Sequence, residues 1–225
     1  MLQKNKSGWD PVWEKIYRTR NWGQYPIEEL VRFIARNFYQ AKLRKKVKIL
    51  EIGCGTGANV WYLAKEGFDT YGIDASETAV KLSQKKLRKE HLNANLVPGL
   101  VDKLPWPNEF FDCVIDVECL TCNSEEDSQK IINDIYRVLK TDGKHFSILA
   151  KKGCWGDKTG KKIDKTTYYS VKEGPYSCSG KTRFASLPSL KSLYKEFKNL
   201  KIEYVIRTEN NRGEKIQQWL VEAQK

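Results

Sequence analysis

The stretch Leu50-Glu51-Ile52-Gly53-Cys54-Gly55-Thr56-Gly57 decides the fold of this chain. An apolar run that leads into alternating glycines is typical of a buried strand ending in a tight turn against a ligand. The helix that follows such a turn has backbone amides without partners inside the helix, and these amides can bind a polar ligand group. The stretch therefore predicts a ligand site at the carboxyl end of a strand.

Strand and helix patterns alternate on both sides of this stretch. Short apolar runs predict strands over residues 47–52, 69–73, 95–98, 111–117 and 145–150. Helical spacing of apolar residues predicts helices over residues 27–38, 58–66, 77–89 and 124–139, with Ser76 as the N-cap of the third. Such alternation is typical of a parallel sheet with helices on both faces.

The last part of the chain breaks the alternation. After a helix predicted over residues 187–197, two strands over 201–208 and 215–223 are joined by a turn-rich link too short for a crossover helix. They predict an antiparallel hairpin. The expected fold is therefore α/β and Rossmann-like, with a seven-stranded, mostly parallel sheet closed by an antiparallel C-terminal strand.

Length and composition suit one domain. The chain has 225 residues, of which 40% are hydrophobic, so we expect a single domain over residues 1–225 with an N-terminal aromatic and helical cap over 1–44. Neither a run of about 18 apolar residues nor the apolar centre of a signal peptide occurs, which predicts a cytoplasmic protein with no membrane partner. The oligomeric state stays open.

Charge and cysteine content limit the partners. The formal charge of +12 favours anionic partners such as nucleic acid or phosphorylated molecules, without choosing among them. Of the six cysteines, the pair Cys119 and Cys122 has CxxC spacing but no second pair or nearby histidines. We therefore expect free thiols and no metal site.

The glycine turn alone does not identify its ligand. Read loosely, Gly53, Gly55 and Ala58 satisfy a dinucleotide fingerprint, and Asp74 lies where an acid would bind a ribose. Glu51 favours a different ligand, because a carboxylate at this point would repel a pyrophosphate but would attract an ammonium and a sulfonium. The preferred ligand is S-adenosylmethionine (SAM), and an NAD-dependent dehydrogenase is the weaker alternative.

Several motifs support this preference together. After the first motif come Tyr71-Gly72-Ile73-Asp74-Ala75-Ser76, Leu104-Pro105-Trp106, Phe111-Asp112-Cys113-Val114-Ile115-Asp116 and Arg137-Val138-Leu139-Lys140-Thr141-Asp142-Gly143. In this combination the chain resembles a class I SAM-dependent methyltransferase of the small-molecule type, similar to methyltransferase types 11 and 25. The resemblance implies methyl transfer from SAM, with S-adenosylhomocysteine as the product.

The resemblance also implies a set of cofactor-binding residues. Glu51 would orient polar groups of the cofactor, Asp74 would accept hydrogen bonds from both ribose hydroxyls, and Ala75 would pack beside the adenine. Many relatives have an aspartate where this chain has Leu100, so the adenine amine would be bound by the Val101 backbone or by Asp102. The turn beneath the methionine part would be formed by Gly53, Cys54, Gly55, Thr56 and Gly57.

Candidate catalytic residues follow the fourth predicted strand. Asp116 and Glu118 are expected to face the methyl-transfer crevice, where either could act as a base or simply be solvated, and Asp116 is also a candidate for cofactor binding. Tyr168 and Tyr169 are alternative bases. Asp74 could instead be only a helix cap. We expect structural roles for Asp112, His91 and His145.

Two segments are expected to bind the acceptor. Trp22 and Tyr25 of the aromatic leader are candidates for covering it, although simple packing on the core is the alternative. Residues 151–185 have no clear period and predict a substrate lid. Its candidates are Trp155, Tyr168 and Tyr169.

The expected reaction is transfer of a methyl group to an oxygen or nitrogen atom of a small molecule, such as a sugar or another polar metabolite. The alternative is RNA, which the net charge permits. The sequence contains no added RNA-binding domain and no Asn-Pro-Pro-Tyr-type tetrad after the fourth strand. A third hypothesis is a SAM-binding module without catalytic activity.

Overall fold

The structure is a computed structural model that describes residues 9–20 and 23–225. Helices and strands alternate through most of the chain. The helices are α1 (Val12–Thr19), α2 (Glu28–Phe38), α3 (Ala58–Lys65), α4 (Glu77–Lys89), α5 (Glu125–Val138) and α6 (Leu187–Leu193). The strands are β1 (Lys48–Ile52), β2 (Asp69–Asp74), β3 (Asn95–Pro98), β4 (Phe111–Val117), β5 (Leu139–Ala150), β6 (Lys161–Lys162), β7 (Thr167–Tyr169), β8 (Lys181–Arg183), β9 (Lys198–Glu209) and β10 (Glu214–Gln224).

Seven of these strands form one mixed sheet in the order β3-β2-β1-β4-β5-β10-β9. The first five strands in that order are parallel, and β10 runs antiparallel to both β5 and β9. The predicted fold class is confirmed, including the antiparallel closing hairpin. The chain order reverses between β1 and β4, and ligands of open α/β sheets bind at such a point.

Alternating side chains of the central strands pack against helices on both faces. Leu50 of β1 and Val114 of β4 face a cluster that contains apolar residues of α5 and α6. Ile49 and Ile115 face the opposite cluster, which is formed with α2 and α3. This alternation is why the central strands read as continuous apolar runs. Packing on both faces also holds the carboxyl ends of β1 and β4 in fixed positions.

The structure corrects three predicted boundaries. Strand β5 begins at Leu139 instead of residue 145, because Leu139 already pairs with Phe111 of β4. Helix α6 ends at Leu193 instead of residue 197, and Phe197 packs into the core beyond the helix. Strand β9 then begins at Lys198, three residues earlier than predicted.

Residues 151–185 are more regular than the sequence suggested. They contain a small antiparallel sheet in the order β6-β7-β8. Buried side chains of the segment, among them Tyr168, Tyr176 and Phe184, belong to a separate apolar cluster. A lid function for this segment stays a prediction. In the part of the chain that the structure describes, no helix combines the length and apolar character needed to cross a membrane.

Candidate active site

A cavity of about 400 Å³ opens at the carboxyl ends of β1, β2 and β4. Glu51 comes from β1, Asp74 from β2, and Val117 and Glu118 from the end of β4. The leader and the segment after β5 supply further lining residues, so two parts of the chain distant in sequence meet over the sheet. The cavity lies where the strand order predicts a ligand crevice.

The glycine turn forms one side of the cavity. Gly53, Gly55 and Gly57 all have positive φ angles, of 62°, 50° and 80°. A Cβ atom on Gly53 would lie 2.6 Å from the Cys119 Cβ, and one on Gly55 would lie 2.9 Å from the Tyr17 hydroxyl. The first two glycines line the cavity, together with Cys54 and Thr56. Gly57 does not line it but caps α3.

Glu51 presents an unpartnered carboxylate oxygen at this turn. Its Oε1 accepts a hydrogen bond of 2.7 Å from the side-chain amide of Asn59. Oε2 is buried and has no partner among the described residues. Burial raises the pKa of Glu51 to about 8, against the opposing effect of the Asn59 hydrogen bond. A bound ammonium group would supply the missing donor and the missing positive charge.

Asp74 holds the turn in place from the end of β2. Its two carboxylate oxygens accept hydrogen bonds from the amides of Gly55 at 2.9 Å and Ser76 at 2.8 Å. Ser76, not Asp74, is the N-cap of α4, because its hydroxyl accepts from the amide of Ala79. Burial raises the pKa of Asp74. Each oxygen keeps a second acceptor position for a ligand hydroxyl.

The predicted adenine side also lies in the cavity. Ala75 lines it beside Asp74, and so do Leu100, Val101 and Asp102 from the loop after β3. The structure thus brings these four residues to one wall. Their individual contacts with a cofactor stay predictions.

Asp116 differs from the expectation that it faces the crevice. It is completely buried and does not line the cavity. Its carboxylate accepts hydrogen bonds from the amide of Leu120 and the hydroxyl of Ser147. Burial raises its pKa to about 7. These contacts hold the loop after β4, so the structure favours a positioning role over contact with cofactor or acceptor.

Glu118 lies in the cavity wall. Its φ angle of 66° is unusual for a residue with a side chain and places it at the sharp turn after β4. Oε1 accepts hydrogen bonds from the Tyr176 hydroxyl at 2.6 Å and from the side-chain amide of Gln218. Tyr176 and Gln218 line the cavity as well. Sequence reasoning missed both, since they come from segments far from the glycine motif.

The predicted lid contributes different residues from those expected. Tyr168 is buried in the apolar cluster next to Phe184, and Tyr169 lies within β7 of the small sheet. Trp155 packs against the same cluster, and none of these three side chains lines the cavity. Tyr176 occupies the cavity wall instead. The only local signal for it in the sequence is the turn-forming pair Gly174-Pro175 directly before it.

Aromatic side chains of the leader form the opposite wall. Trp9, Trp13, Tyr17 and Tyr25 line the cavity. The predicted candidate Trp22 lies outside the described residues. Helix α1 is held on α4 by Glu14, whose carboxylate accepts hydrogen bonds from the hydroxyls of Ser76 and Thr78.

Thiols also line the cavity, but they are poorly suited to attack. Cys54, Cys119 and Cys122 lie in its wall, and all six cysteines of the chain are free. Burial raises the pKa of these three thiols well above the ordinary value, so they stay protonated near neutral pH. Among the described residues no cluster of His, Cys, Asp and Glu could hold a metal ion.

Comparison with known proteins agrees with this geometry. Residues 49–143, from β1 to the start of β5, match a protein family described as a methyltransferase domain. Over these residues the chain resembles the class I SAM-dependent methyltransferases. SAM is the cofactor of this class. The match covers the glycine turn, Asp74 and Glu118, and ends before the segment that supplies Tyr176.

Relatives of the methyltransferase domain include proteins with several described activities. A putative methyltransferase from Geobacillus is 30% identical over 121 residues, which is 52% of this chain and 48% of that protein. The demethylmenaquinone methyltransferase of Lactobacillus johnsonii is 30% identical over 129 residues, 52% of each protein. The chain thus spans about half the length of the curated relatives it matches.

The fold is shared with solved structures. A SAM-dependent methyltransferase from Methanosarcina mazei superposes with a TM-score of 0.68 at 19% identity, over 89% of this chain and 98% of that one. At this identity the likeness extends to the fold only. The acceptor therefore has to be inferred from the cavity of the methyltransferase domain itself.

Proposed function

We propose that this chain transfers a methyl group from SAM to a nitrogen or oxygen atom of a small polar molecule. The observation that supports this most directly is the buried, unpartnered Oε2 of Glu51 in the wall of a cavity that also contains Glu118. One carboxylate fits the cationic cofactor. The other fits an acceptor that carries a proton.

The cofactor would be held by the side of the cavity nearest the glycine turn. When bound, SAM supplies a methyl group attached to a positively charged sulfur. The leaving group of the transfer is the neutral thioether. Glu51 would accept a hydrogen bond from the ammonium, Asp74 would bind the ribose hydroxyls, and the turn around Gly53 and Gly55 would hold the methionine part. Carboxylates matched to cationic and hydroxyl groups give charge-assisted hydrogen bonds, which are stronger than neutral ones.

The acceptor would be held on the side of Glu118. Methyl transfer is an in-line displacement, so the protein contributes alignment, exclusion of water and a proton acceptor where one is needed. Glu118 is positioned for the last task by Tyr176 and Gln218. The leader with Trp13 and Tyr17 covers the cavity and would exclude water during transfer.

Calorimetry with SAM and S-adenosylhomocysteine tests the cofactor half of this proposal. We expect both to bind, and NAD not to bind. Metabolite extract incubated with methyl-labelled SAM then tests transfer: label should pass to a small-molecule fraction only in the presence of the protein. The variant Glu77→Gln should bind and transfer like the wild type, because Glu77 is exposed on α4 and pairs with Lys81.

The same experiment separates the alternatives. Label recovered in RNA instead of small molecules would favour an RNA methyltransferase. Binding of SAM without any transfer of label to small molecules or RNA would favour a non-catalytic SAM-binding module. Binding of NAD with no binding of SAM would contradict the proposal entirely.

A further inference from the structure

The charge of the cavity is opposite to that of the chain. The chain has a net charge of +12, yet the described residues that line the cavity include five carboxylates and a single cationic side chain. These are Asp10, Glu51, Asp74, Asp102, Glu118 and the cation Arg207. Such a wall favours cations and disfavours anions.

On the acceptor side, one carboxylate oxygen of Glu118 accepts no hydrogen bond from the described residues, whereas each oxygen of Asp10 accepts one. The oxygens of Asp10 already accept hydrogen bonds from the amides of Val12 at 3.0 Å and Lys181 at 3.3 Å. In Glu118, the hydrogen bonds from Tyr176 and Gln218 both go to Oε1. Within the described part of the chain, Glu118 Oε2 receives no hydrogen bond, so it can accept one from a ligand.

Aromatic rings in the same cavity add a second preference for cations. Tyr176 contacts Glu118 directly, and Trp9, Trp13, Tyr17 and Tyr25 line the same cavity. The ring centres of Trp13 and Tyr17 lie 5.7 Å apart. Aromatic faces carry negative electrostatic potential and attract ammonium groups, most strongly where water is excluded.

Arg207 and Lys181 each have a carboxylate partner other than Glu118. The side chain of Arg207 is 65% exposed, and its guanidinium lies 4.0 Å from a Glu209 oxygen. Lys181 is paired with Asp127 on α5, with 3.6 Å between its ammonium and the carboxylate. An acceptor with a carboxylate or phosphate beside Glu118 would therefore be repelled.

We propose that the methyl acceptor is an amine, recognised as an ammonium by Glu118 Oε2 in the cavity that Tyr176 and the aromatic rings of the leader also line. This inference rests on the proposed function and narrows it to N-methylation. The ammonium gives one proton to Glu118, and from there the proton passes to water. The neutral nitrogen then forms the N–C bond as the S–C bond breaks, and the electron pair of that bond stays on sulfur.

The test measures binding to the complex of the whole chain with S-adenosylhomocysteine, so that no reaction interferes. The probes are phenethylamine, 2-phenylethanol and phenylacetate, which differ only in their polar group. Two further sets of amine, alcohol and carboxylate carry a butyl or a cyclohexyl group, so that the size and shape of the apolar part also vary. We expect at least one amine to bind about tenfold or more tightly than its alcohol, and its carboxylate to bind more weakly than either.

Glu118→Gln is the decisive variant, because it keeps the size of the side chain and removes its charge. We expect it to reduce the preference for the amine to about threefold or less, with unchanged affinity for S-adenosylhomocysteine. The matched control is Glu126→Gln, since Glu126 is exposed on α5 and pairs with Lys130. It should leave the preference unchanged.

Three outcomes would overturn the inference. They are equal binding of alcohols or carboxylates, failure of every amine to bind, and an amine preference that survives in Glu118→Gln. If S-adenosylhomocysteine itself does not bind, the proposed function fails and this inference fails with it. Binding of the cofactor without an amine preference overturns the inference alone.

Discussion

The buried carboxylate of Glu51 shows how a single residue can favour function over stability. An ionised oxygen that is removed from water without a hydrogen-bond donor destabilises the folded state. Oε2 of Glu51 is in this position in the unliganded chain once the pH rises above its pKa of about 8. A cationic ligand would remove the penalty, so the same atom that weakens the fold would strengthen binding.

This predicts a pH-dependent stability for Glu51→Gln. Since the pKa of Glu51 rises from 4.5 to about 8 on folding, the folded state holds this proton more tightly than the unfolded state. The carboxyl therefore lowers stability as pH rises from 4.5 to 8, and the full penalty applies above 8. In thermal melts without ligand, the melting temperature of the variant minus that of the wild type should therefore increase as the pH is raised from about 5 to about 9.

The same variant should bind S-adenosylhomocysteine about tenfold or more weakly in calorimetry. Glu77→Gln should show neither effect. A difference in melting temperature that stays constant with pH would contradict the assigned ionisation of Glu51.

Tyr176 offers a second residue-scale prediction. Tyr176→Phe removes the hydroxyl that donates to Glu118 Oε1 and should raise the KM of the acceptor about tenfold. The affinity for S-adenosylhomocysteine should stay within about twofold. Tyr168→Phe is the matched control, because Tyr168 comes from the same segment but does not line the cavity. An equal loss in both variants would show that the segment acts only through its packing.

At the scale of elements, the side chain of Glu14 helps to hold helix α1 over the cavity. Glu14 accepts hydrogen bonds of 2.5 Å from Ser76 and 2.6 Å from Thr78, at the N-terminus of α4. A carboxylate at a helix N-terminus is also favoured by the helix dipole. These hydrogen bonds lower the pKa of Glu14 to about 2. The carboxylate therefore stabilises the docked helix above pH 4.5, and this effect is lost as pH falls toward 2.

Glu14→Gln should loosen the leader. Because α1 contributes Trp13 and Tyr17 to the cavity wall, stopped-flow measurements at neutral pH should show release of S-adenosylhomocysteine about fivefold or more faster than in the wild type. Glu28→Gln is the control, since Glu28 pairs with Arg32 on the exposed surface of α2. Unchanged release would mean that α1 does not limit access.

The sequence predicted the strands of the large sheet and the helices from α2 to α6, together with the residues adjacent to the glycine motif, but not the small sheet of β6, β7 and β8. Glu51 and Asp74 could be found because they end strands next to a recognisable turn, and the structure places both in the cavity. Tyr176 and Gln218 could not, because only the tertiary arrangement of a long loop and the last strand brings them to Glu118. For Asp116 the sequence was misleading. Its position at the end of an apolar run suggested that it faces the crevice, but its carboxylate is buried and accepts hydrogen bonds from Leu120 and Ser147.

For the whole molecule, charge is distributed unevenly. Positive charge dominates the chain as a whole, with a net value of +12, while carboxylates dominate the cavity. Repulsion among like charges on the surface destabilises the compact state, and salt screens it.

We therefore expect the melting temperature to rise by a few degrees between about 50 and about 500 mM sodium chloride. Sodium glutamate at the same ionic strength should have a similar effect, which would exclude specific chloride binding. A melting temperature that falls with salt would mean that ion pairs such as Lys65 with Glu90 outweigh the general repulsion.

The family match includes some of the residues that line the cavity and leaves others outside it. The glycine turn, Asp74 and Glu118 lie within residues 49–143, whereas Tyr176 and Gln218 lie beyond them and the aromatic leader lies before them. We expect a chimera that takes only these flanking segments from a relative to change the choice of acceptor and to keep its affinity for S-adenosylhomocysteine.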